Sequence, residues 1–199
     1  MGTTWLWYAA RGTGAVSLLL LSAVVVLGLL TAVRYQVAGW PRFVTSGLHR
    51  NLSLLAVTFL TVHIVTAVVD PFTHLGLVAV LVPFESPYRT FWLGLGTVAL
   101  ELLVALMFSS LLRRHIGYKT WKAIHWLSYG CWPVALLHGL GTGTDSFQTW
   151  MLVLDGACIL AVAAALVLRV TARPAERATL PVSSSDGSGR PVRAVSATR

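Results

Sequence analysis

The chain is poor in charge. Only 11% of its 199 residues are charged, and the acidic ones number seven against fifteen basic. Soluble domains carry about 25% charged residues, so a water-soluble globular fold is excluded. Cysteine is scarce too: Cys131 and Cys158 sit in apolar stretches without a short-range partner, which excludes a disulfide framework and reads as core packing. The glycine-rich run GLGTGTD follows an apolar segment rather than a strand, so it does not make a dinucleotide loop.

What is present is apolar sequence: 56% of residues are hydrophobic and mean hydropathy is +0.74. The expected fold is all-α, a polytopic membrane bundle of about five helices with a short interfacial segment. Spans are expected at 14–33, 48–69, 91–112, 121–140 and 149–170. The first is long enough to cross and lacks a small-residue cleavage site, so it reads as a retained span rather than a signal peptide. Asp70-Pro71 stops the second. Residues 70–90 are apolar but broken by Pro71, Pro83 and Pro87, too short to cross, and read as interfacial. The domain division is 1–170 for the membrane unit and 171–199 for a Ser-, Pro- and Arg-rich tail, expected to be disordered.

The net charge of +8 does not point to nucleic acid, because the basic residues flank spans. Arg34, Arg42 and Arg50 share one loop, Arg113, Arg114, Lys119 and Lys122 another, and the rest follow from Arg169, leaving only Arg11 and Arg89 opposite. Asp70, Glu85 and Asp145 join those two on the far side. The positive-inside rule then predicts a multi-pass cell-membrane protein with its N-terminus outside and its C-terminus cytoplasmic. On this topology the second and fourth spans run parallel, both outward.

Those two spans carry the chemistry. His49 and His63 lie 14 residues apart, and His125 and His138 lie 13 apart. At about 1.5 Å per residue each pair covers roughly 20 Å of a hydrocarbon layer about 30 Å thick. Ionisable groups at such depth are rare and mark function. Parallel helices pair first with first and second with second, His49 with His125 and His63 with His138. Neutral imidazole is an axial ligand for haem iron, so the arrangement suggests two stacked haems. Fourteen residues at about 100° each return to within about 40° of the same face, whereas thirteen leave an offset of about 140°. Pro133 lies between His125 and His138, and a kink there is expected to realign them.

The run Trp121-Lys-Ala-Ile-His125-Trp-Leu-Ser-Tyr129 with His138, and Gly47-Leu48-His49-Arg50 through His63, resembles the haem helices of the ferric reductase-like transmembrane family. That family includes the membrane portions of ferric reductases and NADPH oxidases and the haem subunit of the periplasmic methionine sulfoxide reductase system. The resemblance covers about residues 14–168. It implies a membrane cytochrome b with two b haems, passing electrons outward from a cytoplasmic reduced flavin or flavin reductase. The acceptor on the outer face would be ferric iron or a redox protein, and flavin would come only through a partner. The alternatives are the haem subunit of a methionine sulfoxide repair system and a haem-free scaffold or transporter.

Arg50, beside His49, is the leading candidate for a haem propionate, ahead of Arg42, Lys119 and Lys122. Glu101 is a candidate proton carrier or imidazole partner in the third span. Asp155 is expected to be solvated near the outer end, His74 and His115 to be exposed, with His74 open to an outer metal or acceptor site. Trp121, Trp126, Tyr129, Trp132 and Trp150 read as interfacial anchors or core, with Trp126 or Tyr129 available to pack on a porphyrin.

Overall fold

A computed structural model of the protein describes residues 4–32, 42–71 and 75–171. Arg34, His74, residues 172–199 and the side chain of Arg42 lie outside the described residues. The described chain is helical: α1 (Thr4–Ala32), α2 (Arg42–Val69), α3 (Leu77–Leu81), α4 (Thr90–Leu111), α5 (Arg113–Ile116), α6 (Tyr118–His125), α7 (Ser128–Thr142) and α8 (Thr149–Thr171). Four helices, α1, α2 from Phe43, α4 and α8, are long and apolar enough to cross a membrane. The chain is therefore a polytopic helical membrane protein. The first span begins ten residues earlier than its hydropathy suggests, because Trp5, Leu6, Trp7 and Tyr8 extend the helix.

Hydrocarbon cannot satisfy polar groups, so side-chain hydroxyls within the spans bond back to their own helix. Ser17 donates to the Thr13 carbonyl at 2.7 Å, Ser22 to Leu18 at 2.7 Å, Ser53 to His49 at 2.6 Å and Thr61 to Val57 at 2.8 Å. Large apolar side chains point outward, among them Leu160 at 71% exposure and Val153 at 66%. A soluble domain rarely shows so many, and lipid is their solvent. The core is small, with Leu18, Leu136 and Cys158 joining α1, α7 and α8 against Trp132, Leu140 and Leu154.

The expected fourth span is two helices end to end, α6 and α7. Around their junction the hydrogen bonds tighten to three-residue spacing: Trp126 N–H to Ala123, Leu127 to Ile124, Tyr129 to Trp126 and Gly130 to Leu127. The expected kink therefore falls one turn before Pro133 rather than at it. Pro133 lacks an N–H for the Tyr129 carbonyl and crowds that turn. A 3₁₀ stretch advances about 120° per residue instead of about 100°, so four or five such residues recover about 80–100°. That reduces the 140° offset of His125 from His138 to about 40–60°, comparable with the offset of His49 from His63. Arg169 at the end of α8 clasps this junction, donating to the Tyr129 hydroxyl and lying 5.6 Å from the Trp126 ring.

α3 and the loop after it cap one end of the bundle, tied down by Thr97, which donates to the Ala79 carbonyl at 2.8 Å. At the other end Gly117, with φ of 76° and ψ of 159°, turns the chain from α5 into α6. An L side chain is strained in that conformation. The Trp132 indole N–H donates to Ser22 Oγ at 2.9 Å, joining α7 to α1. Ser22→Ala removes the acceptor from a buried donor. The expected cost is about 1 kcal/mol of stability, checked by denaturant titration in detergent, with Trp132→Phe costing less in the Ser22→Ala background than in wild type because only its core packing is then lost.

Candidate functional site

α1 and α2 form one antiparallel hairpin, and α4 with α6–α7 forms a second. Each presents two histidines to the other. The His49 and His125 ring centroids lie 6.4 Å apart with planes at 66°. The His63 and His138 centroids also lie 6.4 Å apart, with planes at 78°. These are the pairs that parallel histidine helices allow.

Three of the four rings are held the same way. His63 Nδ1 lies 2.7 Å from the Ala10 carbonyl, His49 Nδ1 3.1 Å from Val24 and His138 Nδ1 2.9 Å from Trp92. A carbonyl only accepts, so each Nδ1 is the protonated nitrogen and each Nε2 keeps its lone pair. Four residues beyond each acceptor stands a glycine, Gly14, Gly28 and Gly96, where the imidazole rests. A Cβ on Gly14 would come 2.9 Å from His63 and one on Gly96 2.5 Å from His138, while one on Gly28 would make ordinary contact at 3.5 Å.

Between the hairpins lies a cavity of about 240 Å³, walled by small residues, including Gly14, Ala56, Gly96, Ala99 and Ala135, together with larger apolar ones; His63 and His138 face into it, and His49 and His125 are not among its lining. A metal bridging two imidazoles at about 2.0–2.1 Å, with each ring centre about 1.1 Å behind its nitrogen, puts the centroids about 6.3 Å apart. Both pairs match that separation. At His63–His138 the nitrogen donors, the ring orientation set by backbone carbonyls and the cavity between the hairpins fit a flat macrocycle held by two imidazoles; at His49–His125 the fit rests on the nitrogen donors and their separation.

The supporting residues fall differently. Arg50 is exposed on α2 and does not line the cavity. Arg11 does line it, at the His63–His138 end, and pairs with Asp145. Arg11 escapes sequence reasoning because it reads as a loop charge, whereas it lies in the second turn of α1. Glu101, a candidate proton carrier or imidazole partner, is exposed on α4 and does not line the cavity. Asp155, expected to be solvated, is 3% exposed, with no hydrogen-bond partner on either carboxylate oxygen among the described residues. His115 is exposed on α5. Trp126 and Tyr129 pack against Arg169 at the α6–α7 junction, while Trp121 stacks on His125 at 4.9 Å and Trp7 and Tyr88 line the His63–His138 cavity.

The glycine contacts give a graded expectation. Gly96→Ala should displace His138 and cost the His63–His138 site its occupant, while Gly28→Ala should keep both sites. Haem per chain in the two purified variants checks this.

Comparison with curated proteins and with solved structures returned no significant match. A family model, ferric reductase like transmembrane component, matches residues 13–136, from the residue before Gly14 through α1, α2, α4 and most of α7. With its helical membrane bundle and paired histidines, the chain belongs to the ferric reductase-like transmembrane family.

Proposed function

We propose that this chain is a di-haem membrane cytochrome b that passes electrons from a cytoplasmic reduced flavin or flavoprotein to an acceptor on the outer face. The observation that carries the reading is the equal 6.4 Å separation of the two histidine pairs, in a chain of this family. Haem supplies reversible one-electron chemistry when bound, and the protein supplies ligation, burial and spacing.

Each residue then has a defined task. His49 and His125 would hold the inner haem, and His63 and His138 the outer one. The Val24, Ala10 and Trp92 carbonyls fix the Nδ1–H tautomer and so leave Nε2 as the nitrogen that would bind the iron. Arg11 offers a cation to a propionate at the outer site, in exchange with or alongside Asp145. The basic cluster of Arg113, Arg114, Lys119 and Lys122 lies on α5 and α6, the helices that lead to His125, and faces the cytoplasm by the positive-inside rule. Electrons therefore enter at the His49–His125 end and leave at the end bearing Arg11 and Asp145. The outer acceptor is ferric iron or a redox protein.

Haem quantitation on purified protein tests the reading. Wild type is expected to hold two haems with the sharp reduced α-band of bis-histidine ligation. His49→Ala and His125→Ala should lose the same haem, and His63→Ala and His138→Ala the other. Protein made with haem precursor supplied and isolated without haem contradicts the proposal and favours a haem-free scaffold or transporter.

A further inference from the structure

The cradle that holds three of the histidines has a period. On α1 the acceptor carbonyls are Ala10 and Val24, with Gly14 and Gly28 four residues beyond each. On α4 the acceptor for His138 is Trp92, with Gly96 beyond it. The 14-residue step that separates the two cradles on α1 puts the fourth acceptor at Leu106 and the fourth glycine at position 110. Position 110 is a serine.

That one change reorganises the site. Ser110 Oγ turns back and donates to the Leu106 carbonyl at 2.8 Å, and Ser109 Oγ donates to the same carbonyl at 3.0 Å. The Ser110 side chain thus takes the place at which glycine elsewhere lets the imidazole approach, whereas a second hydroxyl such as that of Ser109 does not by itself close the carbonyl, since the Ala10 carbonyl takes both the Thr13 hydroxyl at 3.3 Å and His63. Among the described residues, His125 Nδ1 is buried without a hydrogen-bond partner. Its ring is held instead by stacking on Trp121, 4.9 Å away and 25° from parallel, and the Trp121 indole N–H reaches Ser110 Oγ at 3.4 Å. The Arg113 guanidinium lies 4.5 Å over the other ring system of the stack, that of Trp121.

We propose that Ser110 sets the reduction potential of the inner haem by withholding a hydrogen bond from His125. The inference rests on the haem reading above. A hydrogen bond from the far nitrogen of a metal-bound imidazole makes the ring more basic and a stronger donor, which stabilises the oxidised metal. His49, His63 and His138 have that bond, and His125 lacks it. The inner haem is consequently easier to reduce than it would be with glycine at 110. The positive charge of Arg113 nearby acts in the same direction. The site nearest the basic face is thereby suited to accept an electron. Ser110 is a positioning residue: it touches neither haem nor donor and acts through the Leu106 carbonyl and Trp121.

Potentiometric titration of the full chain in detergent, followed at the reduced α-band, tests this, with His125→Ala identifying which transition is the inner haem. In Ser110→Gly both haems are retained, the inner midpoint moves to lower potential and the outer midpoint stays. Ser110→Thr, whose hydroxyl also bonds back to the helix, keeps the wild-type inner midpoint. An inner midpoint unchanged in Ser110→Gly, an equal shift of both midpoints, or loss of the inner haem from that variant would overturn the proposal. Those outcomes leave the two-haem reading standing. Wild-type protein without haem overturns both.

Discussion

The structure turns on a problem of solvation. An imidazole in hydrocarbon has one N–H to satisfy and one lone pair to offer, and water is absent to help with either. The backbone carbonyls of Ala10, Val24 and Trp92 take the N–H of His63, His49 and His138. Those carbonyls are already engaged in their own helices and accept through a second lone pair, which demands close approach of ring to helix. Glycine permits that approach on α1 and α4. Two hairpins thus come to face one another with histidines fixed in tautomer, direction and depth. Small residues around the His63–His138 end leave the hydrophobic core slight and a cavity beside that pair.

Much of this was written in the sequence. Long apolar runs ending in basic residues gave the spans, and matched histidine spacing with a parallel topology led to the pairs that the structure brings together. Other features were hidden for physical reasons. The glycine cradles carry a sequence signal, since Gly14 and Gly28 repeat the 14-residue spacing of His49 and His63. That signal acquires meaning only once α1 is known to lie antiparallel to α2. Pro133 announced a distortion, but its position one turn upstream follows from which carbonyl the proline crowds. Glu101 drew attention by its depth, while α4 is apolar around its whole circumference, so no pattern told which way residue 101 points. Arg11 looked like a loop charge because the hydropathy of α1 begins after it.

Function on this account is a matter of holding. The chain fixes two ligand pairs at two depths, carries cations on the helices that lead to one of them and leaves the other end to Arg11, Asp145 and the α3 loop. On the proposed reading, those pairs would conduct electrons across the membrane. The two pairs are alike in separation, and His125 alone of the four rings has no carbonyl partner among the described residues, a difference that we trace to Ser110.

Low-temperature EPR of the oxidised, haem-loaded protein tests the central claim most directly, because it reports ligation and ring geometry at each iron. Ring planes at 66° and 78° predict two low-spin ferric signals, both strongly anisotropic. One of them should disappear in His125→Ala and the other in His138→Ala. A single low-spin signal, or a dominant high-spin signal from singly ligated iron in wild type, would contradict the pairing of one histidine from each hairpin.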